Sequence, residues 1–239
     1  YLLWDLQFTI GHSSRTISEC VRIAQADITA KTALMEARLL TGSEELFQNF
    51  QKTFRRRVLP KRVEDYIDEK RREMRQRHSQ FGSSIYLVEP NVKESPGGLR
   101  DVHFLQWIAM ARYGLSSLTD LHRRGHLPSR EYREITRAQD FLWRVRNEMH
   151  FYAGRASDVL TFDEQKRLAD FFNYPDEPHR LGVERFMRRY YISATRIHDI
   201  SSRFIEKAIP VSWKRRIVDT LLSRRIGNFM LTRHTIRVP

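Results

Sequence analysis

Between positions 89 and 101 the chain reads EPNVKESPGGLRD, a run that sets the cations Lys93 and Arg100 around a proline and two adjacent glycines. Glycine lacks the Cβ that keeps a ligand away from the backbone. A helix beginning at Leu99 would point its unpaired N–H groups and the positive end of its dipole toward this loop. Lys93, Gly97, Gly98 and Arg100 together therefore have the make-up of a phosphate-binding turn. The spacing is not that of a P-loop, and Pro-Gly-Gly before a helix is equally ordinary turn chemistry. Both readings stand at this level.

The elements that must position the loop follow from hydrophobic periodicity. Trp4, Leu6, Phe8 and Ile10 alternate with Asp5, Gln7 and Thr9, which predicts a half-buried strand with Asp5 on its outer face. Gly11-His12-Ser13-Ser14-Arg15 turns the chain, and Thr16-x-x-Glu19 is a capping box for a helix through Ile17, Val21 and Ala24. A second helix is expected over 30–40, stopped by Gly42. Phe47, Phe50, Phe54 and Val58 recur at helical spacing up to Pro60, and Val63, Tyr66, Ile67 and Met74 continue the stripe. Residues 85–88, IYLV, are a short strand candidate. Further helices are predicted over 99–113, from Ser129 through Ile135, Leu142, Val145 and Tyr152, after the box Thr161-x-x-Glu164, and over 183–208 before Pro210. The C-terminal FMLTRHTIRV is rich in β-formers and reads as a terminal strand or a frayed end. The fold class is mainly α, a multi-helix bundle with short strands.

A chain of 239 residues with 41% hydrophobic content can bury a core, which excludes intrinsic disorder. No run approaches the about 20 apolar residues of a membrane span, and the first residues lack a basic leader and a cleavage site. The single cysteine, Cys20, forms no intramolecular disulfide, and no Cys/His spacing builds a zinc cage. A cytoplasmic protein is expected. The net charge of +13 is uneven: residues 51–80 carry 11 basic against 5 acidic groups and residues 201–239 carry 9 against 2. Those two segments keep a basic, helical nucleic-acid-binding module open as an alternative, although no reader motif accompanies them. Trp107, Trp143 and Trp213 read as packing residues, and His198-Asp199 falls inside a predicted helix rather than in an ordered metal set.

The run EPNVKESPGGLRDVHFLQW, with LLWDLQFTIGHSSRT and TALMEARLLTG before it and RAQDFLWRVRNEMHFYAGR and VERFMRRYY after it, resembles the bacterial PII-protein uridylyltransferase/uridylyl-removing enzymes. These segments lie in the family's order and span nearly the whole chain. The pattern Val-Lys-x-x-x-Gly-Gly-x-Arg followed by an acid is also similar to glutamine synthetase adenylyltransferases.

The resemblance implies a polymerase-β-like nucleotidyltransferase core followed by a helical domain. Residues 1–58 would be the C-terminal, strand-containing part of that core and residues 59–239 the helical nucleotidyltransferase-associated domain. It implies transfer of UMP from UTP to a tyrosine of the PII nitrogen-regulatory protein, with Mg²⁺ as cofactor and glutamine as regulator. Asp5 would be the third carboxylate of the core, serving metal and catalysis, while Lys93, Gly97, Gly98 and Arg100 would bind nucleotide phosphate. An Asp-x-Asp pair occurs nowhere in the 239 residues, so the principal metal ligands are expected upstream of Tyr1 and the chain alone is expected to be inactive. A purely structural interdomain spacer is the remaining alternative.

Overall fold

Side-chain caps open several helices, the first of them at the Thr16 box that the sequence predicts. Thr16 and Glu19 form the reciprocal box that starts α1 (Ile17–Ala26), the Thr16 amide donating to Glu19 Oε2 at 2.8 Å. Asp27 caps α2 (Ile28–Met35) through the Ala30 amide, and Ser43 caps α3 (Glu44–Arg57) through the Leu46 amide. Then follow α4 (Val63–Gln80), α5 (Leu99–Tyr113), α6 (Leu118–Arg123), α7 (Ser129–Ala153), α8 (Phe162–Phe171) and α9 (Gly182–Ala208). Gly114 and Gly154 end α5 and α7 in the left-handed conformation that glycine adopts without strain. The computed structural model describes residues 5–6, 11–209, 224–226, 229–231 and 236–237.

The long helix α9 packs against α5, α7 and α8, and α4 lies along α5. Its stripe of Phe186, Tyr190, Ala194, Ile197, Phe204 and Ile205 is buried against Leu105 and Ile108 of α5 and Ile135, Leu142 and Val145 of α7. Each large apolar side chain so buried contributes about 1.5–3 kcal/mol, which is what holds helices of this length together. A smaller cluster, Val21, Ala24, Phe54, Val58 and Leu59, joins α1 to α3, with Met110 of α5 packed against it. Near the C-terminus the described backbone forms an antiparallel sheet of β1 (Arg224–Ile226), β2 (Phe229–Leu231) and β3 (Ile236–Arg237), with Arg224 opposite Leu231 and Leu231 opposite Ile236.

Four local expectations differ. Asp5 has helical backbone and Leu6 lies in a turn, both exposed, so the alternating pattern does not give an extended segment there; Trp4, Phe8 and Ile10 lie outside the described residues. Residues 85–88 form no strand, because among the described residues no neighbouring strand offers a ladder: the Tyr191 hydroxyl donates to Leu87 O at 2.9 Å and the Gln165 amide to Val88 O at 2.8 Å. The second helix begins and ends earlier than predicted, the Asp27 cap fixing its start at Ile28. Trp143 is 46% exposed and packs only partly, whereas Trp107 is buried; Trp213 lies outside the described residues.

Candidate functional site

The 89–101 run is wired into the helices on several sides. Asn91 Oδ1 accepts from the Lys93 and Glu94 amides at 3.0 and 2.8 Å, folding the loop back on itself. Ser95 Oγ donates to Phe81 O at the end of α4. The Val92 amide donates to Asp158 O at 2.8 Å and the Leu160 amide to Pro90 O at 2.9 Å, tying the loop to the segment before α8. Asp158 is itself held by Arg146 Nε at 2.7 Å and His150 Nε2 at 2.8 Å.

The two glycines allow close approach. Gly97 has φ +77°, and a Cβ there would lie 2.2 Å from Ala194 O, so only glycine lets the loop touch the α9 backbone. A Cβ at Gly98 would meet Lys93 O at 2.6 Å. The amides that would face a phosphate are occupied from within. Gly97 N donates to Asp101 Oδ2 at 2.8 Å, Gly98 N to Ser95 O at 2.8 Å, Leu99 N to Val92 O at 3.1 Å and Arg100 N to Lys93 O at 2.9 Å.

Lys93 and Arg100 do come together. Lys93 Nζ stands 3.1 Å and Arg100 Nη2 3.4 Å from the same oxygen, Glu94 Oε1. Burial works to raise the Glu94 pKa, but the two cations outweigh it and hold the carboxyl below its usual range. Arg100 also lies 5.7 Å from the Trp107 ring centroid. Glu94 and Arg100 open on a 580 Å³ cleft between α2, α4 and α5, whose wall includes Glu36, Lys70, Glu73 and Trp107. Lys70 is 4% exposed, pairs with Glu73 at 2.7 Å and lies 5.0 Å from the Trp107 ring centroid. Among the described residues no ion pair joins Asp5 to Lys93 or Arg100.

Behind the loop lies a buried knot centred on Asp101, in the first turn of α5. The Arg77 guanidinium donates to Asp101 Oδ1 and, through Nη1, to Glu94 O at 2.9 Å. His78 Nε2 stands 2.9 Å from Asp101 Oδ1, and His198 Nδ1 of α9 stands 3.9 Å from Oδ2. Burial alone would raise the Asp101 pKa; His198, His78 and Arg77 reverse that and hold it far below the ordinary carboxylate range. The same carboxylate raises the pKa of His198. The acid ending the PGGLRD run was the one local signal for this knot. Arg77, His78 and His198 carried none, because they arrive from distant helices.

A family model described as GlnD PII-uridylyltransferase matches residues 65–205, a span that contains the loop, the Arg77, His78, Asp101 and His198 knot and most of the helical core. The chain belongs to this family. It is similar to the bifunctional uridylyltransferase/uridylyl-removing enzyme of Novosphingobium aromaticivorans, at 38% identity over 100% of the chain and 27% of that protein. The similarity to the protein of the same description from Caulobacter vibrioides is 42% over 87% of the chain and 22% of that protein. For the one from Bradyrhizobium diazoefficiens it is 36% over 92% of the chain and 26% of that protein. The chain thus spans about a quarter of the length of these relatives. No solved structure matches it. No described helix is long and apolar enough to cross a membrane.

Proposed function

We propose that this chain is part of an enzyme that transfers UMP from UTP to a tyrosine hydroxyl of the PII nitrogen-regulatory protein, in the cytoplasm and under control by glutamine. The observation supporting this is the similarity that runs along its full length to bifunctional uridylyltransferase/uridylyl-removing enzymes. In that reaction the tyrosine oxygen attacks the α-phosphorus in line. A new P–O bond forms, the bond to the departing pyrophosphate breaks, and the hydroxyl proton passes to a base. Residues 1–58 are the proposed end of the nucleotidyltransferase core and residues 59–239 the proposed helical domain.

Within this reading Lys93 and Arg100 bind nucleotide phosphate and stabilise the charge that develops on pyrophosphate. Gly97 and Gly98 act by shape: their amides bond within the loop, and they bring Lys93 and Arg100 to one carboxylate, Glu94. Asp5 is the proposed carboxylate contribution to catalysis and metal binding. Magnesium would shield the triphosphate from an incoming oxygen nucleophile. Among the described residues no three His, Cys, Asp or Glu side chains converge on a metal position, so this set does not by itself fit the ion.

The test is Lys93→Ala and Arg100→Ala in a full-length relative, assayed with radiolabelled UTP and PII. Transfer per folded molecule should fall at least tenfold with the thermal midpoint nearly unchanged, since both side chains are partly exposed. Loss of stability with transfer per folded molecule preserved would make the loop purely structural.

One observation favours a second reading, a polyanion-binding face. Lys52, Arg55 and Arg56 line a shallow cleft on α3 with Gln48 and Gln51, and these three cations have no ion pair among the described residues. Submicromolar binding of duplex or single-stranded nucleic acid that weakens steeply with salt would raise it above the first.

A further inference from the structure

Lys31 is 4% exposed, yet among the described residues it forms no ion pair with a carboxylate. Its Nζ donates to Lys61 O at 3.0 Å and lies 5.0 Å from the Tyr66 ring centroid. An ammonium has three donors, and among the described residues one carbonyl takes one of them. A buried cation without a counter-charge is costly, and here burial, reinforced by Arg62, lowers the Lys31 pKa.

The side chain lines a cavity of 240 Å³ bounded by the α1–α2 junction, the end of α3 and the start of α4. Lys61 and Arg62 line it too, against one acid, Asp65, which Arg62 Nε engages at 2.8 Å on the exposed rim. Three cations therefore meet one carboxylate that is already paired. At the same place α4, 18 residues long, begins without any side-chain cap. Arg62 precedes it with φ +52° and supplies no acceptor to the first-turn N–H groups. Glu64 and Asp65 in the first turn of α4 offset the positive end of its dipole, so the positive charge at the cavity comes from the Lys31, Lys61 and Arg62 side chains.

We propose that this cavity is a binding site for a small phosphate-class oxyanion, held by Lys31 and Lys61 with Arg62 at its rim. The site goes beyond the transfer reaction, for neither Lys93 nor Arg100 lines it. Its volume is below the about 300–1,000 Å³ of pockets that enclose drug-sized ligands, which suits a compact anion and excludes a whole nucleotide. Free phosphate and the terminal phosphoryl group of a larger molecule share the required chemistry: compact negative charge and several acceptor oxygens.

The experiment is an NMR titration of the isotope-labelled chain with sodium phosphate at constant ionic strength, with sodium chloride, sodium acetate and UTP in parallel. Phosphate should shift the Arg62 and Asp65 amides and the Lys31 Nζ resonance, saturating in the millimolar range, while chloride and acetate should not. Lys31→Met should weaken phosphate binding at least tenfold without lowering the thermal midpoint. Lys61→Ala, a change at an exposed position, should weaken it several-fold and serves if the first variant does not fold. UTP shifting the same amides at lower concentration than phosphate would assign the anion to the end of a nucleotide, and UTP acting only at higher concentration to free phosphate. Shifts under phosphate that match those under chloride, acetate binding as tight as phosphate, or phosphate binding unaltered in both variants would overturn the site.

Discussion

The Gly97 amide donates to Asp101 Oδ2 at 2.8 Å, so α5 is closed at its start by a carboxylate from its own first turn. The other oxygen of the same carboxylate faces Arg77 and His78, and through them the loop is attached to α4. A loop whose cations face solvent is thus held by a charge cluster beneath it.

Asp101→Asn is expected to destabilise the chain by about 2–4 kcal/mol, because it leaves the buried Arg77 guanidinium with only the longer 3.9 Å pairing to Glu94 as counter-charge. Asparagine can still accept from Gly97, so the loss isolates the charge. Urea denaturation measures it, and a change below about 1 kcal/mol would mean that Arg77 finds another partner or water.

Stability should depend on pH through His198. Its folded pKa is raised, so its contribution is fully present below the unfolded value of about 6.5 and is lost as pH rises through the higher folded value. The groups facing it are Asp101 from α5, His78 from α4, and Asp199 beside it in sequence. Asp101 acts in the opposite direction, its contribution being present above about pH 4 and lost on acidification. The urea midpoint should therefore decline above about pH 6.5, and His198→Gln should flatten that decline while leaving the acid limb.

Much of the helical framework was legible because capping residues and apolar stripes are local signals. Thr16 with Glu19, and Thr161 before α8, fix helix starts from a few positions. The buried faces of α7 and α9 follow from spacing alone, as Ile135, Leu142 and Val145 illustrate. What the sequence did not disclose depends on contacts between distant segments. Residues 85–88 have the composition of a strand, but their carbonyls are taken by Tyr191 and Gln165, a choice no local pattern records. Lys93 and Arg100 were legible as a pair; that the glycine amides between them bond inward was not.

Gly97→Ala should destabilise strongly. The left-handed backbone at φ +77° alone costs a non-glycine residue about 1–3 kcal/mol, and the new methyl would overlap Ala194 O, a backbone atom that cannot swing aside. A fall in thermal midpoint larger than that of Gly154→Ala, where a Cβ meets nothing within 4 Å, would separate the contact from the backbone term.

On the proposed reading the isolated chain should fold cooperatively and transfer no UMP to PII, since the proposed carboxylate Asp5 cannot by itself assemble a two-metal centre. Magnesium-dependent labelling of PII at rates comparable to a full-length relative would refute this.

The attachment of residues 89–101 to α4, α9 and the segment before α8 has a consequence for motion. A segment tied at Phe81, Ala194, Asp158 and Leu160 cannot swing as a lid without breaking contacts to several helices at once. Any motion that changes access to Lys93 and Arg100 must therefore come from another part of the protein, with these two residues as a fixed anvil.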